Sequence, residues 1–333
     1  MSKPKVIVTR RWPDEVETRL AEVFDLQLNE SDRPMSQDRL RAAFAQADAV
    51  FPTVSDRIDA DVLGAGVQGT EPRGAEAFRA KLCGNFGVGF NNIDVVAAKA
   101  RGLTVTNTPG VLTDATADLA MTLLLAVARR VGEGERHLRN RQWTGWRPTH
   151  MMGTQVTGKT LGLIGMGRIG RALAARAHLG FNMDVLFHDP TPPSTAVAKA
   201  LGATACGSIE AVLERSDFVS LHTPGGAHTK HLMNAERFAC MKPGAFLINT
   251  SRGDVIDEAA LVQALRSGVI AGAGLDVFEA EPQATPALLE MENVVLLPHL
   301  GSATLETRVA MGMTVLKNAL AFFAGETPPN RVA

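Results

Sequence analysis

LGLIGMGRIGRAL, residues 161–173, joins a short apolar run to a stretch of helical spacing through three glycines, Gly165, Gly167 and Gly170. A bare GxGxxG spacing says little, because glycines are common in loops. Its setting says more. In a strand–turn–helix, the first glycine permits the sharp turn, the second lets backbone approach a pyrophosphate, and the third allows the helix to pack closely on the strand. The helix start then faces the anion with free N–H groups and a favourable dipole. The next strand-like run, MDVLFHD, ends in Asp189, 19 residues after Gly170. A carboxylate there accepts hydrogen bonds from the adenosine ribose and repels a 2′-phosphate, so the pattern predicts NAD(H) in preference to NADP(H).

Outward from this motif, short β-branched runs alternate with helix-like stretches: TLGLIG, MDVLFHD, DFVSLHT, AFLINTS, AGAGLDVF and NVVLLPH. Six strands with helices between them imply a parallel sheet covered on both faces. An earlier alternation, with KVIVT (5–9), FDLQL (24–28), ADAVF (47–51) and LTVTN (103–107), predicts a second, smaller α/β unit. Two domains suit 333 residues, which exceed the usual ceiling for one compact core. The Gly-rich, polar stretch Gly64 to Phe78 reads as a surface loop of the smaller unit. NTPGVLTDATAD (107–118) has the Pro-Gly turn and the Thr and Asp caps of a chain that leaves one domain and starts a long helix. After His299 a helical pattern runs from Ala303 to Gly325 with no further strand. The expected domains are therefore 1–107 with 300–333, and 108–299.

Composition narrows the function classes. A net charge of −1 provides no field to gather nucleic acid or anionic membrane. Arg129, Arg130, Arg136, Arg139 and Arg141 cluster, which reads as a solvated or subunit-facing helix surface. Near the N-terminus only Val6-Ile7-Val8 is apolar, too short for the core of a signal peptide, and the apolar stretch Leu119 to Val127 is too short for a membrane span. The expected compartment is cytoplasmic. Cys83, Cys206 and Cys240 are odd in number and lack CxxC spacing, which suits a reducing environment without disulfides or a zinc knuckle. His222, His228 and His231 in HTPGGAHTKHL have no neighbouring acid or cysteine in the segment, so they read as a polar loop and no metal is expected.

Three residues after strand-like runs carry the chemistry: Arg252 in NTSRGDV, Glu281 in FEAEPQ and His299 in LLPHLGSAT. In a parallel sheet the carboxyl ends of the strands line one crevice, so side chains 29 and 18 positions apart can converge. A guanidinium can fork onto a carboxylate or polarise a carbonyl, and an imidazolium can pass a proton to a developing alkoxide. A glutamate beside the histidine favours its charged form and fixes the ring. Singly, each has an ordinary explanation as an ion pair, a loop residue or a structural histidine. Together, downstream of a dinucleotide fingerprint, they point to catalysis.

These segments, with LHTP, MKPGAFLINTSRGDVIDEAAL, AGAGLDVFEAEP, GNFGVGFNNIDV and TNTPGVLTDATADLA, resemble the D-isomer-specific 2-hydroxyacid dehydrogenases over nearly the whole chain. The resemblance implies a Rossmann dinucleotide-binding domain plus a smaller flavodoxin-like α/β substrate domain, normally in a homodimer, with the segment near Trp143 and Trp146 at the interface. It places Arg252, Glu281 and His299 at the catalytic positions. It implies that backbone N–H groups around Val88 and Gly89, with Arg252 and Ser302, hold the substrate. It lines the cofactor with Thr116, Gly165, Gly167, Arg168, Ile169, Gly170, Asp189, Thr223, Pro224, Thr250, Arg252, Asp276, His299 and Gly301. Within the family the chain is most similar to the glyoxylate and hydroxypyruvate reductases, or glycerate dehydrogenases, which implies NADH-dependent reduction of a small 2-keto acid to its D-2-hydroxy acid. Phosphoglycerate and phosphite dehydrogenases are the alternatives within the family. An NAD(H)-sensing, corepressor-like scaffold is the alternative from another class, and the presence of all three catalytic residue types speaks against it.

Overall fold

The structure is a computed structural model that describes residues 2–64 and 78–333. The loop expected over Gly64 to Phe78 therefore lies, apart from its two ends, outside the described residues. The chain forms two compact units, Met1–Leu112 with Ala303–Ala333, and Thr113–Ser302. The divisions fall after Leu112 and Ser302 instead of after Asn107 and His299. Hydrogen bonds account for both shifts: Asn107 N donates to Asn330 O and Thr108 N to Gly87 O, which keeps that segment in the first unit. Gly301 N donates to the Asp276 carboxylate, which keeps the residues after His299 in the second.

Among the described residues the first unit holds a parallel sheet of β1 (Lys5–Val8), β2 (Asp25–Leu28), β3 (Ala49–Phe51), β4 (Leu82–Gly84) and β5 (Thr104–Thr106). Its order, β2-β1-β3-β4-β5, is the flavodoxin-like one. Sequence patterning marks four of these strands. The fifth, β4, escapes it because its three residues, LCG, are wholly buried and show no alternation. Helices α1 (Asp14–Val23), α2 (Gln37–Gln46) and α3 (Val95–Ala100) join the strands, with Ser36 and Asp94 capping α2 and α3. One core gathers Ile7, Leu40, Phe44, Val50 and Val105. Phe24, which caps the end of α1, meets Phe51 of β3 edge to face and lies tilted against Phe323, the last residue of the C-terminal helix Leu305–Phe323.

The second unit is a seven-stranded parallel sheet: β6 (Thr160–Ile164), β7 (Asp184–His188), β8 (Ala203–Ala205), β9 (Phe218–Leu221), β10 (Phe246–Asn249), β11 (Gly272–Leu275) and β12 (Val294–Leu296). It runs β12-β11-β10-β9-β6-β7-β8, so six expected strands become seven. The addition, β8, is a half-exposed edge strand of sequence ATA with no apolar run to betray it. Side chains alternate across the sheet. Leu161, Leu163, Phe218, Phe246 and Ile248 pack on α4 (Thr113–Ala128), while Ile164, Val219, Leu221, Leu247 and Leu275 enter the core on the other face. The strand order reverses between β6 and β9, the switch point at which such sheets bind dinucleotides. No helix among the described residues is long and apolar enough to cross a membrane. The three cysteines are free.

Candidate active site

Candidate side chains are threaded along the carboxyl edge of the second sheet. At β6 the chain turns through Gly165, whose φ of +100° suits glycine, and a Cβ there would stand 2.5 Å from His222 O. A Cβ on Gly170 would run into Gly165 O, so helix and turn touch backbone to backbone. Gly167 differs: nothing lies within 4 Å of where its Cβ would sit. It caps α6 (Arg168–Ala175), whose first N–H groups have no intrahelical acceptor. Arg168 is exposed there, and Ile169 packs against the core. Beyond β7, Asp189 accepts the Met166 N–H at 2.6 Å and the Thr191 N–H at 2.7 Å. The carboxylate thus braces the glycine turn, and each oxygen keeps acceptor capacity for a ribose hydroxyl.

Further along the edge, the hydroxyls of Thr223, after β9, and Thr250, after β10, are buried with no hydrogen-bond partner in the protein. Leaving a buried hydroxyl unpaired costs about 1–3 kcal/mol, so the pair fits a polar ligand lying on it. Pro224 stands exposed beside Thr223, its carbonyl taken by the Thr229 hydroxyl at 2.6 Å. The Thr116 hydroxyl is not orphaned: it donates to Gly301 O at 3.0 Å. Neighbouring strands lie about 4.8 Å apart, which puts the ends of β7 and β12 about 24 Å apart, ample for an extended dinucleotide. The open face of Gly167, the spare acceptors of Asp189 and the orphan hydroxyls fit such a ligand.

The far end of the row holds the three candidates for chemistry. His299, three residues after β12, has a left-handed φ of +56°, and its Nδ1 lies 2.8 Å from Glu281 Oε2. Nε2 makes no hydrogen bond to a described residue. Asp276, fully buried after β11, holds the turn: its backbone O takes the His299 N–H at 2.9 Å, and its carboxylate takes the N–H groups of Leu300 at 2.6 Å and Gly301 at 2.8 Å. Burial pushes the Asp276 carboxyl up against the pull of those two donors. Burial also works against the charge on Glu281, but the hydrogen bond and charge of His299, the Phe278 N–H and the charge of Arg252 outweigh it and hold the carboxyl below the usual range. Arg252 follows β10, lies within electrostatic reach of Glu281 and Asp254, and is lowered by burial. Its backbone is tied by Asn249 Nδ2 at 2.8 Å, and a side chain on Gly225 would strike its Cβ and Cγ.

The second unit therefore brings together Arg252, Glu281 and His299. Val88 and Gly89 lie in the first unit, half-buried after β4. Ser302 ends the second unit, after the Asp276-held turn. Sequence reasoning missed the partners of the loop that carries Glu281. Although HTPGGAHTKHL lacks an acid, His231 Nε2 meets Glu279 Oε1 at 2.7 Å, two residues before Glu281. Buried Glu258 accepts the Glu279 N–H at 2.7 Å and the Thr285 hydroxyl, clamping both ends of the loop. His222 bonds Ser220 Oγ at 3.0 Å and is driven down to about 4 by burial. Among the described residues no group of three or more potential metal ligands assembles.

Comparison with known proteins gives a consistent picture. Residues 121–301 match the family model described as D-isomer specific 2-hydroxyacid dehydrogenase, NAD binding domain. A glyoxylate reductase of Thermococcus litoralis is 43% identical over 99% of this chain and 97% of its own. The crystal structure of a glyoxylate reductase from Paecilomyes thermophila superposes with a TM-score of 0.83 at 30% identity, covering 100% of this chain and 99% of that one. An NADPH-dependent glyoxylate/hydroxypyruvate reductase from Sinorhizobium meliloti, solved with NADP and malonate, gives 0.85 at 35% identity, covering 100% and 97%.

Proposed function

The chain belongs to the D-isomer specific 2-hydroxyacid dehydrogenases, and on that premise we propose that it reduces glyoxylate or hydroxypyruvate to glycolate or D-glycerate with NADH. The observation that carries the reading is the His299–Glu281 pair, beside Arg252, at the end of a strand row that begins with a dinucleotide cradle. Bound along that row, a nicotinamide dinucleotide supplies the hydride. The protein supplies the proton and the alignment. Glu281, ionised and accepting from Nδ1, fixes the ring so that Nε2 of protonated His299 donates to the carbonyl oxygen as charge develops on it. Arg252 holds carboxylate and carbonyl in line, and Val88, Gly89 and Ser302 bind the carboxylate end. In the oxidative direction neutral His299 is the base.

Asp189 supports NAD(H) over NADP(H), since its charge opposes a 2′-phosphate. Helix α5 (Val131–Arg139) buries none of its residues, and Val131, Leu138, Trp143 and Trp146 stand exposed, an apolar surface that supports a homodimer. Three free cysteines support a cytoplasmic home. Turnover of glyoxylate, hydroxypyruvate, pyruvate and phosphite with NADH and with NADPH tests the reading. The expected result is the highest kcat/KM with NADH and one of the first two acids. A clear NADPH preference overturns the cofactor assignment, and NADH binding without any turnover overturns the enzyme in favour of a sensor.

A further inference from the structure

A trans peptide is planar, so its C=O and N–H point in opposite directions. Whatever grips a carbonyl also aims the next residue's N–H. Between Asn85 and Gly89, three consecutive carbonyls are gripped. Gly87 O accepts from Thr108 N at 3.1 Å and Asn85 Nδ2 at 3.3 Å, Val88 O from Asn107 Nδ2 at 2.7 Å, and Gly89 O from Asn85 Nδ2 at 2.9 Å. The N–H groups that follow the first two, those of Val88 and Gly89, donate to no described residue. Both of those carbonyls are held by the segment Asn107-Thr108, so both N–H groups face away from it, and two successive free N–H groups on one side make a cradle for an anion.

The asparagines that do the gripping are buried: Asn85 is 0% and Asn107 8% exposed. Burying an amide is costly unless it is fully bonded, so packing alone would favour an apolar side chain at these positions. Asn107 is itself held from far along the chain. Asn318, fully buried in the C-terminal helix, donates from Nδ2 to Asn107 O at 3.2 Å. Its Oδ1 accepts from Asn330 N at 3.2 Å and Asn330 Nδ2 at 3.1 Å, while Asn107 N donates to Asn330 O. An asparagine within a helix is a poor helix former, and this one spends its amide N–H on Asn107 and its amide oxygen on Asn330, which in turn accepts the Asn107 N–H.

We propose that Asn107, with Asn85 beside it and Asn318 behind it, is a positioning residue that aims the Val88 and Gly89 N–H groups at the carboxylate of the keto acid. The inference rests on the reading that these two groups bind that carboxylate. None of the three asparagines is assigned contact with the reacting atoms; they act through the peptide planes they hold.

Steady-state kinetics of wild type, Asn107→Ala, Asn318→Asp and Val88→Pro with glyoxylate and with its neutral methyl ester test this, alongside NADH binding by fluorescence and thermal melting. Asn318→Asp keeps an acceptor for Asn330 and puts a second carboxyl oxygen where the donor to Asn107 was, and because that carboxyl is buried, thermal melting reports its cost to folding separately from KM. In Asn107→Ala the KM for glyoxylate should rise about 10-fold, the loss of one ordering hydrogen bond, and by a smaller factor in Asn318→Asp. In both, kcat, NADH affinity and the KM for the ester should hold. An acid-over-ester preference that survives both asparagine variants but falls in Val88→Pro overturns the positioning role and leaves the cradle in place. Survival in all three variants overturns the cradle reading itself. Parallel loss of NADH affinity would assign the asparagines to folding alone and overturn the proposal.

Discussion

Two histidine–glutamate pairs hang on one loop, and only one of them is proposed to do chemistry. His299 meets Glu281 at 2.8 Å, and His231 meets Glu279 at 2.7 Å. Exposure does not separate them, with side chains 32% and 36% exposed in the first pair and 37% and 35% in the second. Backbone does not either, since both histidines are left-handed, at φ +56° and +51°. Their surroundings do. His299 engages Glu281 through Nδ1, lies three residues after β12, and sits in a turn tied to Asp276 by three backbone N–H groups. Glu281 also feels the charge of Arg252. His231 engages its acid through Nε2, and its backbone is tied to Asp254 O. The geometry of a pair is common; the strand end, the second charge and the buried brace set His299 apart, and on them rests the proposal that it is the proton donor.

The comparison breaks most directly at His299. His299→Ala should lower kcat by roughly 100-fold or more, the usual contribution of a positioned acid, and near-normal turnover would refute the role. Asp276→Ala should come next: it leaves the Leu300 and Gly301 N–H groups unpaired and frees the turn, so kcat should fall about 10-fold while His299 remains. His231→Ala removes a partly exposed side-chain contact with Glu279, of the kind that contributes about 0–1 kcal/mol, so kcat should change less than about 5-fold; a loss matching that of His299→Ala would reverse the two assignments. A third histidine sharpens the contrast through stability. His222 takes up a proton at about 4 when folded, against about 6.5 when unfolded. Between those values the unfolded chain binds more protons, so stability should fall as pH drops through that window. His222→Asn should flatten the decline in denaturation profiles while leaving kcat at pH 7 nearly unchanged.

Much of this was legible in the chain. The glycine spacing, the carboxylate after β7 and the residues after β10, β11 and β12 are local features, each within a few positions of an apolar run that marks its strand. The short strands β4 and β8 were not, because three residues of LCG or ATA carry no period, and they exist only by pairing with longer neighbours. The acid for His231 lies 48 positions away, and the grip on Asn107 comes from 211 positions away, so no window along the sequence contains either.

By itself, then, the sequence determined the class of sheet, the place of the dinucleotide turn and the residue types at the strand ends, because side-chain periods of 2 and 3.6 and the demands of a tight turn are written in consecutive residues. Only the tertiary structure decided which glutamate each histidine meets, that Asp276 braces the turn of His299, and that asparagines from three segments aim the peptide planes at Val88 and Gly89. Those choices depend on strand order and on backbone direction at the sheet edge, and these are set once the whole core has closed.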